Sequence, residues 1–155
     1  MVRRSEVESS ERLLGSKMTN DYQTAGTFAV AIVLALSFVG IARLLQREKL
    51  LYALGLILSA LVYPPLAFMA GHREMLWLEV GGLFVLSPIA LLGFKLNSRW
   101  LVFGWGGHAI WDVLFSSGPW WYNYGCVAFD LFLAGYIFGH FPARERPIDV
   151  AGTGS

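Results

Sequence analysis

Four ionisable residues stand in stretches that are otherwise apolar: Glu79, His108, Asp112 and Asp130. An Asp at the centre of a membrane helix costs roughly 2.5–3.5 kcal/mol on insertion scales, so such groups face a bundle interior or water and mark a functional site by default. His108 and Asp112 are spaced i, i+4, which puts both on one helix face, with Trp105 and Trp111 flanking at i−3 and i+3. Tyr122, Cys126 and Asp130 follow one another at the same spacing and share a face of the next helix. Three kinds of chemistry fit this set. One His with carboxylates supplies N and O ligands for a hard or borderline metal such as iron, manganese or zinc, although the paired Glu-x-x-His motifs of di-iron bundles are absent from the chain. Buried carboxylates beside an imidazole can also hold different proton affinities and so act as acid and base on a lipophilic substrate, with aromatic rings to support a cationic intermediate. A proton relay for transport would use the same residues.

The elements that carry these groups follow from the composition. Of 155 residues, 55% are hydrophobic and 15% charged, against about 25% charged in an ordinary soluble domain. Eight of the charged residues precede Tyr22 and four follow Phe141, leaving eleven in the 120 residues between. A soluble globule of this size cannot hide so much apolar surface. The chain therefore reads as all-α, an integral membrane bundle of five transmembrane helices, with spans of roughly 20 residues at 25–45, 50–70, 75–94, 100–117 and 122–141. Polar, disordered tails are expected over 1–24 and 142–155. The first apolar run starts too far in, and is too basic just beyond its end, for a cleaved signal peptide, so the first span is expected to stay. A net charge of +1 gives no footprint for nucleic acid, and the single cysteine, Cys126, excludes an intrachain disulfide and a Cys-based zinc site.

Lys and Arg are biased to one side of these spans. Arg43, Arg47, Lys49, Lys95, Arg99, Arg144 and Arg146 collect there, against Arg73, Arg12 and Lys17 on the other, which predicts a cell inner-membrane protein with its N-terminus outside and its C-terminus cytoplasmic. The short loops force antiparallel neighbours. Helical rise then puts Asp112 about 8 Å and His108 about 14 Å below the outer end of the fourth span, and Cys126 about 6 Å and Asp130 about 12 Å below that of the fifth. His108 and Asp130 are thus predicted to face each other. Glu79, about 6 Å deep, is expected to cap the same site from above. The expected object is an outward-biased pocket between the third, fourth and fifth helices, walled by Trp105, Trp111 and Tyr122. Tyr63-Pro64-Pro65 should kink the second span, as a packing device or as a cavity wall. Gly104, Gly106 and Gly107, and the Gly135/Gly139 pair, would permit close helix approach.

The runs Gly104-Trp105-Gly106-Gly107-His108-Ala109-Ile110-Trp111-Asp112 and Gly125-Cys126-Val127-Ala128-Phe129-Asp130 resemble the paired motif of a family of small uncharacterised bacterial multi-span membrane proteins, with Gly-Trp-x-x-His-x-x-Trp-Asp on one helix and Gly-Cys-x-x-x-Asp on the next. The likeness covers the last two spans, and an earlier intramembrane acid, here Glu79, is also similar. Where that family often has histidines soon after the Asp, this chain has Phe115, Ser116 and Ser117. The resemblance implies a shared site and names no substrate. A looser similarity, of chemistry and not of descent, is to the emopamil-binding sterol isomerases, in which a His and carboxylates move protons around a lipid-like carbocation.

The functional expectation is binding of a small lipophilic ligand, with acid–base chemistry of an isomerase or cyclase kind at His108, Asp112 and Asp130, and with Glu79, Trp105, Trp111, Tyr122, Asn123 and Cys126 around the ligand. Two alternatives stand beside it: a proton- or ion-coupled transport component, and a structural subunit of a membrane complex or homo-oligomer. The residues name no cofactor and do not decide whether a metal is bound.

Overall fold

The computed structural model describes residues 4–115 and 120–141, with side chains over 22–115 and 120–141. Five helices account for nearly all of them: α1 (Arg4–Leu44), α2 (Glu48–Met69), α3 (Arg73–Lys95), α4 (Arg99–Leu114) and α5 (Trp120–His140). Their boundaries fall within two or three residues of the expected spans, α1 apart. α1 differs at its start, because the stretch expected as a disordered tail is already helical from Arg4. Its residues explain this: Glu, Arg, Leu, Lys and Met are good helix formers, and the segment holds no proline and one glycine, Gly15. The tail expected over 142–155 lies outside the described residues.

The protein is an all-α membrane bundle. Three stretches, Tyr22–Leu44, Glu48–Met69 and Arg73–Lys95, are long and apolar enough to cross a bilayer. α4 is shorter, at 16 residues, and α5 carries Asn123, Asp130 and His140. Large apolar side chains point outward along the bundle: Val33, Leu36, Ile41, Phe84, Phe103 and Ile110 are all more than half exposed. An exterior of this kind is stable only where the surrounding solvent is itself apolar.

Packing is strongest between α2 and α3, between α4 and α5, and between α1 and α5, whereas α1 scarcely touches α2. α1 and α5 run parallel in constant register. At one end an added Cβ on Gly125 would lie 3.1 Å from Thr27 Cγ2, and at the other Arg43 approaches His140 Nδ1 at 3.4 Å. α1 and α2 diverge from their shared loop, where Gln46 takes a positive φ of 53°. Near that loop the bundle is solid. Val39, Ala42, Tyr52, Leu56, Trp105, Leu133, Ile137 and Phe141 form one buried cluster, and Arg43 lies 5.4 Å from the centre of the Tyr136 ring.

Glycines set the closest helix approaches. A Cβ on Gly104 would collide with Leu56 Cδ2, and one on Gly93 would sit 2.9 Å from the Leu101 backbone nitrogen. Gly106, Gly107, Gly135 and Gly139 have open space instead, so among the described residues these four mediate no helix contact. α2 continues as helix through Pro64 and Pro65.

Gly93→Ala is therefore expected to destabilise the bundle by about 1–3 kcal/mol, because backbone cannot move aside as a side chain can. Gly135→Ala, with room for its methyl group, should be neutral or stabilising by roughly 0.5–1 kcal/mol. Thermal unfolding of both variants in detergent checks the pair.

Candidate functional site

The buried polar residues enter the bundle from three helices, Glu79 from α3, His108 and Asp112 from α4 and Asp130 from α5. The α4–α5 hairpin brings His108 and Asp130 together, with His108 Nδ1 and Asp130 Oδ2 2.6 Å apart. Asp112 stands one turn beyond His108 on α4, its Oδ2 3.7 Å from the same Nδ1. That is ion-pair range but too long for a hydrogen bond. All three side chains are at least 98% buried. Neither Asp112 oxygen has a hydrogen-bond partner, nor does His108 Nε2.

The expected pairing of His108 with Asp130 is thus present. The walls around it differ from the expected ones. A cavity of about 780 Å³ lies in the gap between α1 and α2, closed behind by α5. From α1 it is lined by residues between Gln23 and Leu34, from α2 by Ser59 and Tyr63, and from α5 by Tyr122, Cys126, Phe129 and Asp130; His108 reaches it from α4. The pocket is therefore built on α1, α2 and α5 rather than on α3, α4 and α5. The cause is the parallel packing of α1 on α5, which lays the Gly26–Leu34 segment over Cys126 and Asp130. α3 packs instead on α2 and α4 and approaches from behind.

This arrangement sorts the remaining sequence candidates. Tyr122 and Cys126 line the cavity. Tyr122 meets Tyr63 edge-on, with ring centroids 6.3 Å apart. Trp105 does not line it: this ring is buried in the core behind Phe129, with centroids 5.8 Å apart. Trp111 and Glu79 also lie off the cavity and hold each other, the indole Nε1 donating to Glu79 Oε2 at 3.2 Å. Gly82 makes this possible, since a Cβ there would come within 2.9 Å of the Trp111 ring. Glu79 is thus a buried neighbour of the cluster and not its outer cap. Asn123 is half-buried and outside the lining.

Residues missed by sequence reasoning are Gln23, Thr27 and Ser59, together with Tyr63 as a direct neighbour of the charged set. The Tyr63 hydroxyl is close to both Asp112 and Cys126 but has no partner at hydrogen-bond distance, and its ring centroid is 5.7 Å from that of His108. The double proline directly after Tyr63 was the available signal for a cavity wall.

His108, Asp112 and Asp130 each offer one ligand atom within 4.8 Å of the others. This N,O,O donor set would suit a hard or borderline divalent cation, with two carboxylates balancing its charge. The same set also forms a hydrogen-bonded His–Asp pair with a second carboxylate beside it. No family model, curated protein or solved structure matches the chain.

Removing one partner of a buried pair leaves the other uncompensated. Asp130→Ala is accordingly expected to cost about 3–5 kcal/mol. Asp112→Asn removes a carboxylate that has no hydrogen bond to lose and should leave the melting temperature unchanged or raise it. Thermal denaturation of the two variants beside wild type distinguishes these outcomes, and equal losses would contradict the assignment.

Proposed function

We propose that this membrane protein binds a small lipophilic ligand in the cavity between α1, α2 and α5 and performs acid–base chemistry on it with His108, Asp130 and Asp112. The observation that carries this reading is the meeting of a largely apolar cavity of about 780 Å³ with a buried His–Asp pair. Ligand sites commonly take this form, with volumes of roughly 300–1,000 Å³, apolar walls and a few converging polar groups.

The pair suits proton transfer in a medium that does not tolerate new charge. A proton moved between His108 Nδ1 and Asp130 Oδ2 leaves their summed charge unchanged. Chemistry of the isomerase kind adds a proton at one position of the ligand and removes one at another, and needs neither oxidant nor water. Asp112 supplies a second proton-accepting group beside the first. Tyr63, Tyr122 and Phe129 present ring faces and edges to the cavity, where they would support transient positive charge in the ligand. The motif pair on α4 and α5 supports extending the same reading to the small multi-span family that it resembles.

The readout is native mass spectrometry of the detergent-purified protein. Wild type is expected to retain one lipophilic molecule per chain, and His108→Ala to release it. A bare polypeptide in both would overturn the proposal and favour the transport or structural alternatives.

The bias of Lys and Arg supports the further reading that the protein sits in the cell inner membrane with the open end of the cavity outward. In a Cys126→Ser background, Glu74→Cys should then be labelled from outside intact cells by an impermeant maleimide and Asn97→Cys should not. The reverse pattern would overturn this orientation.

A further inference from the structure

The cavity has a direction and an electrostatic sign. Its α1 wall runs from Gln23 to Leu34, about 16 Å of helix, or roughly half the hydrocarbon thickness of a bilayer. The constant register of α1 against α5 puts Asp130 level with Ile32, so the His108–Asp130 pair lies near the deep end. The side of the cavity is open. Val30 and Leu34 line it yet are 60% and 57% exposed, Gly26 contributes no side chain, and α1 scarcely touches α2. A molecule dissolved in the surrounding lipid can therefore enter between these two helices without crossing water.

The deep end is acidic. Asp130 lines it beside His108, whose imidazole it holds, and two further buried carboxyl groups, Asp112 and Glu79, stand behind the pair and outside the lining. Among the described residues no Lys or Arg lines the cavity. An anionic head drawn to this depth would lose its hydration and meet no free cation, whereas a hydroxyl or an ammonium group would find acceptors.

We infer that the ligand is a single-chain lipid whose head is a neutral or cationic hydrogen-bond donor, that it enters sideways from the bilayer between α1 and α2, and that chains with an anionic head are rejected. This inference rests on the cavity being the ligand site, and it adds the ligand's length, its head group and its route. The slot is comparable in length with a dodecyl chain.

The test is equilibrium binding of radiolabelled 1-dodecanol, dodecylammonium and dodecanoate to the full-length protein in phosphatidylcholine nanodiscs at pH 8, with empty nanodiscs subtracted. At least one of the first two is expected to bind stoichiometrically, and dodecanoate at least tenfold more weakly. Which of the two binds identifies the head as hydroxyl or ammonium. Dodecanoate binding as tightly as the better of the others overturns this inference while leaving the ligand cavity standing; failure of all three chains to bind overturns both. Gly26→Leu locates the site. An added Cβ there meets nothing within 4 Å and leucine favours helix, so this variant should fold and lose binding at least tenfold. Unchanged binding in Gly26→Leu would place the chain elsewhere and overturn the lateral route.

Discussion

In a medium without water a polar side chain must find its partner within the protein, and in this bundle that constraint acts most strongly where His108 meets Asp130. Their 2.6 Å contact joins the middle of α4 to the middle of α5. Sliding one helix past the other by a single turn would separate them and leave a carboxylate and an imidazole unpaired in hydrocarbon, at a cost of several kcal/mol. The pair therefore selects one register for the α4–α5 hairpin. Glu79 and Trp111 do the same between α3 and α4. Apolar helices in lipid gain little from burying apolar surface against one another. Polar pairs and glycine contacts must then supply much of the specificity, which is why Gly82, Gly93 and Gly104 sit where α3, α4 and α2 approach most closely.

The two halves of the bundle use this economy differently. Near the α1–α2 loop, the stack of Tyr52, Phe141, Leu56, Trp105 and Ile137 fills the interior, and His140 lies between Arg43 and Glu48. Toward the other end α1 stays on α5 and leaves α2, and the space that opens is the cavity. Small residues accentuate it: Gly26, Ala31 and Gly125 supply wall without bulk. Rigid packing at one end and a gap at the other leave α1 held by α5 but with few contacts to α2, a division that suits entry of a ligand between the two helices.

Much of this was legible in the residues. Runs of about 20 apolar residues locate the helices because span length is set by bilayer thickness. The depth of His108 and Asp130 follows from counting residues from a tight turn, since helical rise is fixed and neighbouring helices joined by a short loop must be antiparallel. The place of α1 was not legible. An apolar helix of Val, Leu, Ala and Phe presents no group whose partner can be named, so its choice of α5 over α2, and with it the location of the cavity, rests on shape complementarity that a single sequence does not display. The same gap explains Trp105 and Trp111. Their spacing beside His108 is compatible with several rotamers, and only the position of Phe129 and Gly82 turns one ring into the core and the other toward Glu79. The helix before Tyr22 escapes hydropathy for a different reason: low hydropathy says that a stretch cannot enter lipid, not that its backbone is disordered, and its helix-forming residues carry α1 back to Arg4.

Asp112 separates a structural account of the charged set from a functional one. If burying His108 with Asp130 served only to fix helix register, one pair would suffice, and the turn beyond it would be best filled by an apolar residue. Instead the position holds a carboxylate whose side chain is fully buried and neither of whose oxygens has a hydrogen bond. Such a group weakens the fold, because the 3.7 Å ion-pair contact with His108 and the nearby Tyr63 hydroxyl do not replace the hydration that a buried carboxylate loses. A group of this kind is hard to explain by packing and simple to explain by chemistry, since it can accept a proton, a ligand donor or a cation next to a pair that opens onto a cavity. The destabilising residue, more than the stabilising pair, is what supports the functional reading proposed for the site.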